Sequence, residues 1–239
     1  MFRPCSSLGQ LHGLHWPSLR RSLDDSGYAI IPSIISADQC QALAALYSDP
    51  KPFRTRVVMA RHGFGSGEYQ YFDYPLPPLI DSLRHSLYPH LAAIANDWSE
   101  RLGAAVRYPM ELAPFLERCH QADQTRATPL LLQYQPGDYN CLHQDLYGEH
   151  LFPLQVAILL SKPGVDFWGG EFVMTEYSSS SQRAEVVPLQ QGDAVIFAVQ
   201  TRPAAGRRGK PRKVLMRHGV SRIQAGLRHT VGIIFHDSK

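Results

Sequence analysis

The sequence predicts an α+β fold with a mainly β core, a sandwich or jelly-roll barrel with N-terminal helices packed outside it. Three observations lead there. Up to about residue 128, apolar residues recur mostly at helical spacing. From Pro129 onward the pattern switches to short β-rich runs bounded by turn residues. The 239 residues suit one domain of this class, and no linker or internal repeat divides them. The expected layout is therefore one domain over 1–239, with a mostly helical front and lid segment at 1–128 and the β core at 129–239.

The elements follow in order. Ser18–Asp25 is a short amphipathic segment, and Trp16-Pro17 reads as the start of a first helix. Tyr28–Pro32 is a short apolar strand. Ser36 caps a helix with Gln39 as capping-box partner, and Leu43, Leu46 and Tyr47 give its buried stripe. Residues 54–74 are aromatic and glycine-rich and read as a long, partly mobile loop or hairpin. Leu79–Leu102 is a long helix that Pro89 should kink or split. Met110–Cys119 is a further helix. Strands are expected at Leu130–Tyr134, Val156–Leu160, Gly170–Met174, Ala194–Ala198 and Thr230–Phe235, with Gln135–Asp138 as a turn and Ser178–Gln182 as a surface turn.

Composition narrows the function classes. Hydrophobic residues at 44% and charged residues at 19% exclude global disorder. Cys5, Cys40, Cys119 and Cys141 are widely spread, which points to free thiols in a reducing cytoplasm. No apolar run approaches a membrane span, so no membrane partner is expected. The first 23 residues carry Arg3, Arg20 and Arg21 without an acid, yet lack the apolar stretch of a secretory signal. Thr201–Arg217 holds seven basic residues and no acid: Arg202, Arg207, Arg208, Lys210, Arg212, Lys213 and Arg217. Such a run reads as a solvated loop. It ends one residue before His218.

The chemistry rests on a scattered set. His143 and Asp145 are two residues apart, so on a strand they project to one side and can bind one ion. His218 lies far downstream, and Arg228 ten residues after it. Two imidazoles and a carboxylate are the ligand set of a non-haem Fe(II) oxygenase, which keeps coordination positions open. His218–Arg228 reads as strand, turn at Gly226, strand, which would return Arg228 beside His218. Either histidine alone would read as an ordinary core or surface residue.

Four blocks, in order, carry a resemblance to the 2-oxoglutarate/Fe(II)-dependent dioxygenase superfamily over about residues 129–237. Tyr134-Gln135-Pro136-Gly137 before His143-Gln144-Asp145 resembles the strand-turn-H-x-D segment of prolyl hydroxylases and of the AlkB family. Gly169-Gly170-Glu171-Phe172 resembles the Gly-Gly strand. Gly192–Phe197 resembles the Gly-Asp strand. His218-x-Val220-x-x-Ile223-x-x-Gly226-x-Arg228 resembles the prolyl-hydroxylase signature. The resemblance implies a double-stranded β-helix, cupin-like, and the cofactors Fe(II), 2-oxoglutarate and O2. It implies that His143, Asp145 and His218 hold the iron, with no catalytic residue beyond the metal centre. Arg228 would pair bidentately with the distal carboxylate of 2-oxoglutarate. Tyr134 would contact the same co-substrate or simply pack in the core. Leu159 falls where prolyl hydroxylases often place a second tyrosine, which leaves Thr230 or Gln155 for that contact.

The chain also resembles a bacterial oxygenase family described as acting oxidatively on damaged, methylated DNA. On that reading the basic loop 202–217, including Arg207, Arg208 and Arg212, would hold phosphates. The 54–74 segment, with Arg61 and Tyr69, would stack on a flipped base, or else its aromatics pack on the barrel. The second arginine of the AlkB pattern is missing, because Ile234 stands six residues after Arg228. A hydroxylase of protein side chains or of a small metabolite therefore stays open. Outside enzymes, the alternatives are a metal-binding cupin-like barrel and a nucleic-acid-binding module.

Overall fold

The computed structural model describes residues 13–146, 148–178, 181–206 and 210–239. Helix α1 spans Trp16–Ser26, with Pro17 in its first turn and Gly27 in the left-handed conformation closing it. Strand β1 (Tyr28–Ile31) follows. Helix α2 (Ala37–Ala45) starts with the expected capping box: Gln39 N–H donates to Ser36 Oγ, and Ser36 N–H to the Gln39 side chain. It ends earlier than its apolar stripe implies, and Leu46–Ser48 form a 3-10 turn.

Of the two forms expected for residues 54–74, the structure has the hairpin, and it is tied into sheet. Residues 53–72 form β2 (Phe53–Val58), β3 (Gly65–Ser66) and β4 (Glu68–Phe72), with β4 paired to β2 on one side. The front half thus contributes strands as well as helices. Helix α3 (Pro78–Arg101) runs unbroken through Pro89. Proline costs a helix about 3 kcal/mol, but Leu83, Leu87, Leu91 and Ile94 are buried on this helix and offset it. Helix α4 is Leu112–Gln121.

The remaining strands are β5 (Leu130–Tyr134), β6 (Tyr139–His143), β7 (Leu154–Leu159), β8 (Phe167–Gly169), β9 (Phe172–Ser178), β10 (Ser181–Val187), β11 (Ala194–Ala198), β12 (Thr201–Ala205), β13 (Pro211–Val220), β14 (Ile223–Gly226) and β15 (Arg228–Ile233). The larger sheet has the order β1-β11-β7-β15-β5-β4-β2. The smaller runs β10-β9-β13-β6-β3, with β12 also on β13. Between His218 and Arg228 the chain is not a simple turn, because β14 pairs with β8 in a separate ribbon. One pocket takes lining residues from both main sheets, so the sheets face each other across it. Strands β7 and β11 are buried on both faces, which explains their apolar runs, interrupted in β7 by Gln155 alone. This is the jelly-roll arrangement, with α1 packed on β1 and β12.

The segment 202–217 is a correction. Its described residues on either side of 207–209 form paired strands, β12 with β13, rather than a solvated loop. Arg202 is buried and donates to the Asp24 carbonyl at 2.7 Å and to the Glu176 carboxylate. Val214, Met216 and His218 point inward, while Lys213, Leu215 and Arg217 are exposed. Arg207 and Arg208 lie outside the described residues.

A buried network ties α3 to the chain just past β15. Arg84 donates to the Ile234 carbonyl (2.9 Å), the Phe235 carbonyl (3.1 Å) and Asp237 (2.8 Å). Tyr74 donates its hydroxyl to Asp237 at 2.9 Å, and His120 Nε2 is 2.9 Å from the same carboxylate. Among the described residues the cysteines are free, and no helix is long and apolar enough to cross a membrane.

Candidate metal centre and co-substrate pocket

Strand β6 ends in His143, and the chain leaves the strand so that Asp145 follows two residues on. Strand β13 places His218 directly opposite His143. Gly219 makes this approach possible, since a Cβ there would lie 2.7 Å from the Asn140 carbonyl oxygen. His143 Nε2 is 3.3 Å from Asp145 Oδ1, and His218 Nε2 is 3.4 Å from Oδ2. One donor atom from each residue lies within 4.8 Å of the others.

The surroundings prepare these donors. His143 Nδ1 is 2.7 Å from the Cys141 carbonyl, so Nδ1–H donates there and Nε2 is the nitrogen turned to the site, free to bind a metal once it gives up the proton it shares with Asp145. Burial pulls the His143 imidazole down, but Asp145 and the Cys141 carbonyl outweigh that and leave it above its ordinary value. His218 is 7% exposed, with its ring 4.6 Å from Phe197 and 5.8 Å from Phe172. Burial holds it below its ordinary value, against the pull of Asp145. Burial also raises Asp145, but hydrogen bonds from both histidines keep it well below the usual carboxylate range. Two imidazoles and one carboxylate oxygen suit a divalent first-row metal with open positions.

The same pocket, about 90 Å³, is lined by Tyr134, Arg228 and Thr230. Arg228 opens β15 and is the cross-strand partner of Tyr134 on β5. It is 1% exposed and donates to Thr230 Oγ1 at 2.6 Å. Its Nε has no partner, and no carboxylate lies within ion-pair distance among the described residues. Burial lowers its pKa to about 10, with Tyr134 acting in the opposite sense. A buried cation without a counter-ion is costly. The Tyr134 hydroxyl is likewise buried without a well-formed hydrogen bond, with Asn140 beside it, and burial pushes its phenol up. Gly67 makes room for that ring: its φ is +123°, and a Cβ would lie 2.7 Å from Tyr134 Cδ1. An anionic group with several acceptor oxygens would satisfy Arg228 and Tyr134 together, so the residues present fit an iron-bound dicarboxylic 2-oxo acid.

The other expected residues divide. Tyr69 lines the pocket from β4 and meets Tyr71 edge-on, with ring centroids 5.3 Å apart. Arg61 is exposed in the Met59–Arg61 turn, and Arg212 is exposed on β13; neither lines the pocket. Thr230 and Gln155 both do. Sequence reasoning missed Phe172 and Phe197 as the walls of His218. Their position was the available signal, since each is the last residue of one of the two glycine-bearing blocks, 169–172 and 192–197, that precede His218. A second cavity of about 220 Å³, lined by Trp98, Leu102, Tyr108, Leu146 and Val199, also reaches Asp145.

A family model, Oxygenase-NA, described as "Oxygenase, catalysing oxidative methylation of damaged DNA", matches residues 67–238. Uncharacterized proteins from two strains of Mycobacterium tuberculosis are 44% identical over 168 residues, 70% of this chain and 72% of theirs. Among solved structures, a 2OG-Fe(II) oxygenase family oxidoreductase from Burkholderia pseudomallei aligns with TM-score 0.53 at 13% identity, over 99% of this chain and 95% of that one. A Trichoplax adhaerens prolyl hydroxylase, solved with a hypoxia-inducible-factor peptide, aligns with TM-score 0.55 at 12% identity, over 97% and 92%. At these identities the two structures speak to the fold.

Proposed function

The chain belongs to the Oxygenase-NA family, and on that premise we propose that His143, Asp145 and His218 hold Fe(II) and that Arg228 and Tyr134 hold 2-oxoglutarate. The enzyme is a 2-oxoglutarate/Fe(II)-dependent oxygenase, with O2 as its oxidant. The observation that carries the assignment is one pocket lined by both a three-donor cluster and an unpaired buried arginine.

When bound, iron and 2-oxoglutarate supply the oxidation: one oxygen atom enters a substrate C–H, and the co-substrate leaves as succinate and CO2. The protein supplies geometry and charge. The Cys141 carbonyl fixes the His143 tautomer. Arg228, held by Thr230, orients the distal carboxylate. Phe172, Phe197 and Leu132 keep the pocket walls apolar and exclude water.

For the substrate, a methylated base in single-stranded DNA is the leading reading. The family description names damaged DNA. Hydroxylating an N-methyl group gives a hydroxymethyl that releases formaldehyde, so this chemistry removes methyl groups. Lys210, Arg212, Lys213 and Arg217 form an exposed cationic edge on the β12–β13 strand pair that suits phosphates. Tyr69 offers an aromatic face inside the pocket. A hydroxylase of protein side chains or a small metabolite is the second reading. It is favoured by Ile234, which lines the pocket six residues after Arg228 where the AlkB pattern has an arginine. The free thiols suit a cytoplasmic setting.

The test is succinate formation by anaerobically Fe(II)-loaded protein given 2-oxoglutarate and O2, with and without methylated single-stranded DNA. Succinate and formaldehyde rising with DNA support demethylation. Succinate indifferent to DNA moves the search to protein and metabolite substrates. No succinate despite bound iron removes the oxygenase reading of the site.

A further inference from the structure

Strand β7 reads Leu154-Gln155-Val156-Ala157-Ile158-Leu159, buried throughout, and Gln155 is its one polar residue. Gln155 is 4% exposed, and its amide makes no hydrogen bond to any described residue. Nε2 is fully buried. The side chain lines the pocket that holds His143, Asp145 and His218. Its cross-strand partner is Phe197, whose ring lies 4.6 Å from the His218 ring. A leucine or methionine would fill this place without stranding an amide, so the amide's partner is to be sought in the ligand.

The pocket has three other orphaned polar atoms, the Tyr134 hydroxyl, Arg228 Nε and His218 Nδ1; the first two belong to cross-strand partners beside Thr230, which anchors the arginine, and the third sits on a candidate metal ligand. Thr230 is opposite Leu159 on β7, four residues beyond Gln155. At strand spacing that is about 13 Å along the strand. Gln155 therefore belongs with His218 to the metal side of the pocket, and Tyr134 and Arg228 to the far side. His143 Nδ1 is already committed to Cys141, and Asn140 lies beside Tyr134.

Resting on the proposed co-substrate reading, we propose that Gln155 donates a hydrogen bond to the C1 carboxylate of the 2-oxo acid. A 2-oxo acid grips a metal through its keto oxygen and one carboxylate oxygen, which leaves the second carboxylate oxygen facing protein. A neutral amide, which can present either its nitrogen or its oxygen by rotation, suits that oxygen. This contact separates co-substrate from product. C1 leaves as CO2 when the C1–C2 bond breaks, and succinate keeps only the carboxylate that Arg228 holds and a new one derived from C2. Gln155 thus makes the site favour 2-oxoglutarate over succinate.

The test uses Fe(II)-loaded full-length protein without O2. 2-Oxoglutarate binding is read by the visible charge-transfer band of the iron–2-oxo acid complex, and succinate by displacement of that band. Gln155→Met, matched in length, is expected to weaken 2-oxoglutarate about ten-fold, the worth of one hydrogen bond to a charged group, and to leave succinate within about two-fold. Gln155→Leu should do the same, and neither should lower the melting temperature of metal-free protein. Arg228→Ala should weaken both ligands. Equal loss for the two ligands in both Gln155 variants, or no loss for either, overturns the proposal. If wild-type protein binds iron and gives no band with 2-oxoglutarate, the co-substrate reading fails first and this one with it.

Discussion

His143 on β6 and His218 on β13 are direct cross-strand partners, with their ring centroids 4.2 Å apart. The candidate metal site is therefore a property of strand register. A slip of one residue between these strands would turn one imidazole to the opposite face of the sheet and dissolve the site.

The first expectation concerns the donors. His143→Ala or Asp145→Ala should abolish Fe(II)-dependent succinate formation while the circular dichroism spectrum stays that of the parent. Each change removes one of three donors that lie within 4.8 Å. Full activity in either variant would reassign the ligands.

Arg228→Ala should raise the 2-oxoglutarate requirement strongly, because truncating one partner of a buried charged pair costs about 2–5 kcal/mol in binding. The metal-free variant should be no less stable, since Arg228 has no carboxylate partner in the fold. Ligand titration alongside a denaturant melt separates the two effects.

Breaking the α3 anchor should act on stability alone. Arg84 and Asp237 are 1% and 0% exposed and joined at 2.8 Å. Arg84→Ala leaves a buried carboxylate without its main cation, and a loss of about 3–5 kcal/mol is expected in urea unfolding. A loss below about 1 kcal/mol would mean that Tyr74 and His120 suffice to hold Asp237.

Stability should also depend on pH through His236. Its Nδ1 accepts from Phe152 N–H at 3.2 Å, and burial, aided by Arg84, lowers its pKa from 6.5 to about 4 despite Asp145 and Asp237. The folded form keeps it neutral, while the unfolded chain takes a proton below pH 6.5. Its contribution is thus complete above pH 6.5 and is lost as pH falls towards 4, by about 3 kcal/mol in all. His236→Asn, which keeps an acceptor, should flatten the stability curve in that window. His218 and His229, also lowered by burial, would leave a residual slope.

If nucleic acid is the substrate, neutralising Arg212, Lys213 and Arg217 together should weaken its binding and reduce the salt dependence by up to about three units of log–log slope. Succinate formation without DNA should stay unchanged, because none of the three lines the pocket. An unaltered slope would take the DNA path elsewhere.

The residues of the candidate metal site and the arginine of its pocket were legible because each sits in a short pattern with strict geometry: an i, i+2 pair at a strand end, then a histidine and an arginine on later strands. The capping box at Ser36 was legible for the same reason. For residues 53–72 the hairpin was legible but its place in the larger sheet was not, because β4 pairs with β5, some sixty positions away. The 202–217 run misled through its charge. Inward Val214 and Met216 alternate with outward Lys213 and Leu215, a strand period that the count of basic residues hid. The burial of Arg202 could not be read at all, since its partner Glu176 lies on another strand.

The placement of β15 has a consequence for how the protein is made. It sits between β7 and β5, both earlier in the chain, and carries Arg228 and Thr230. On the ribosome, β5 and β7 emerge with open edges and must wait for it. A chain stopped before residue 228 would therefore leave the larger sheet in two pieces as well as lacking the arginine. Translation faults of that kind should yield material for chaperones and proteases, not a partly working oxygenase that consumes O2 without control.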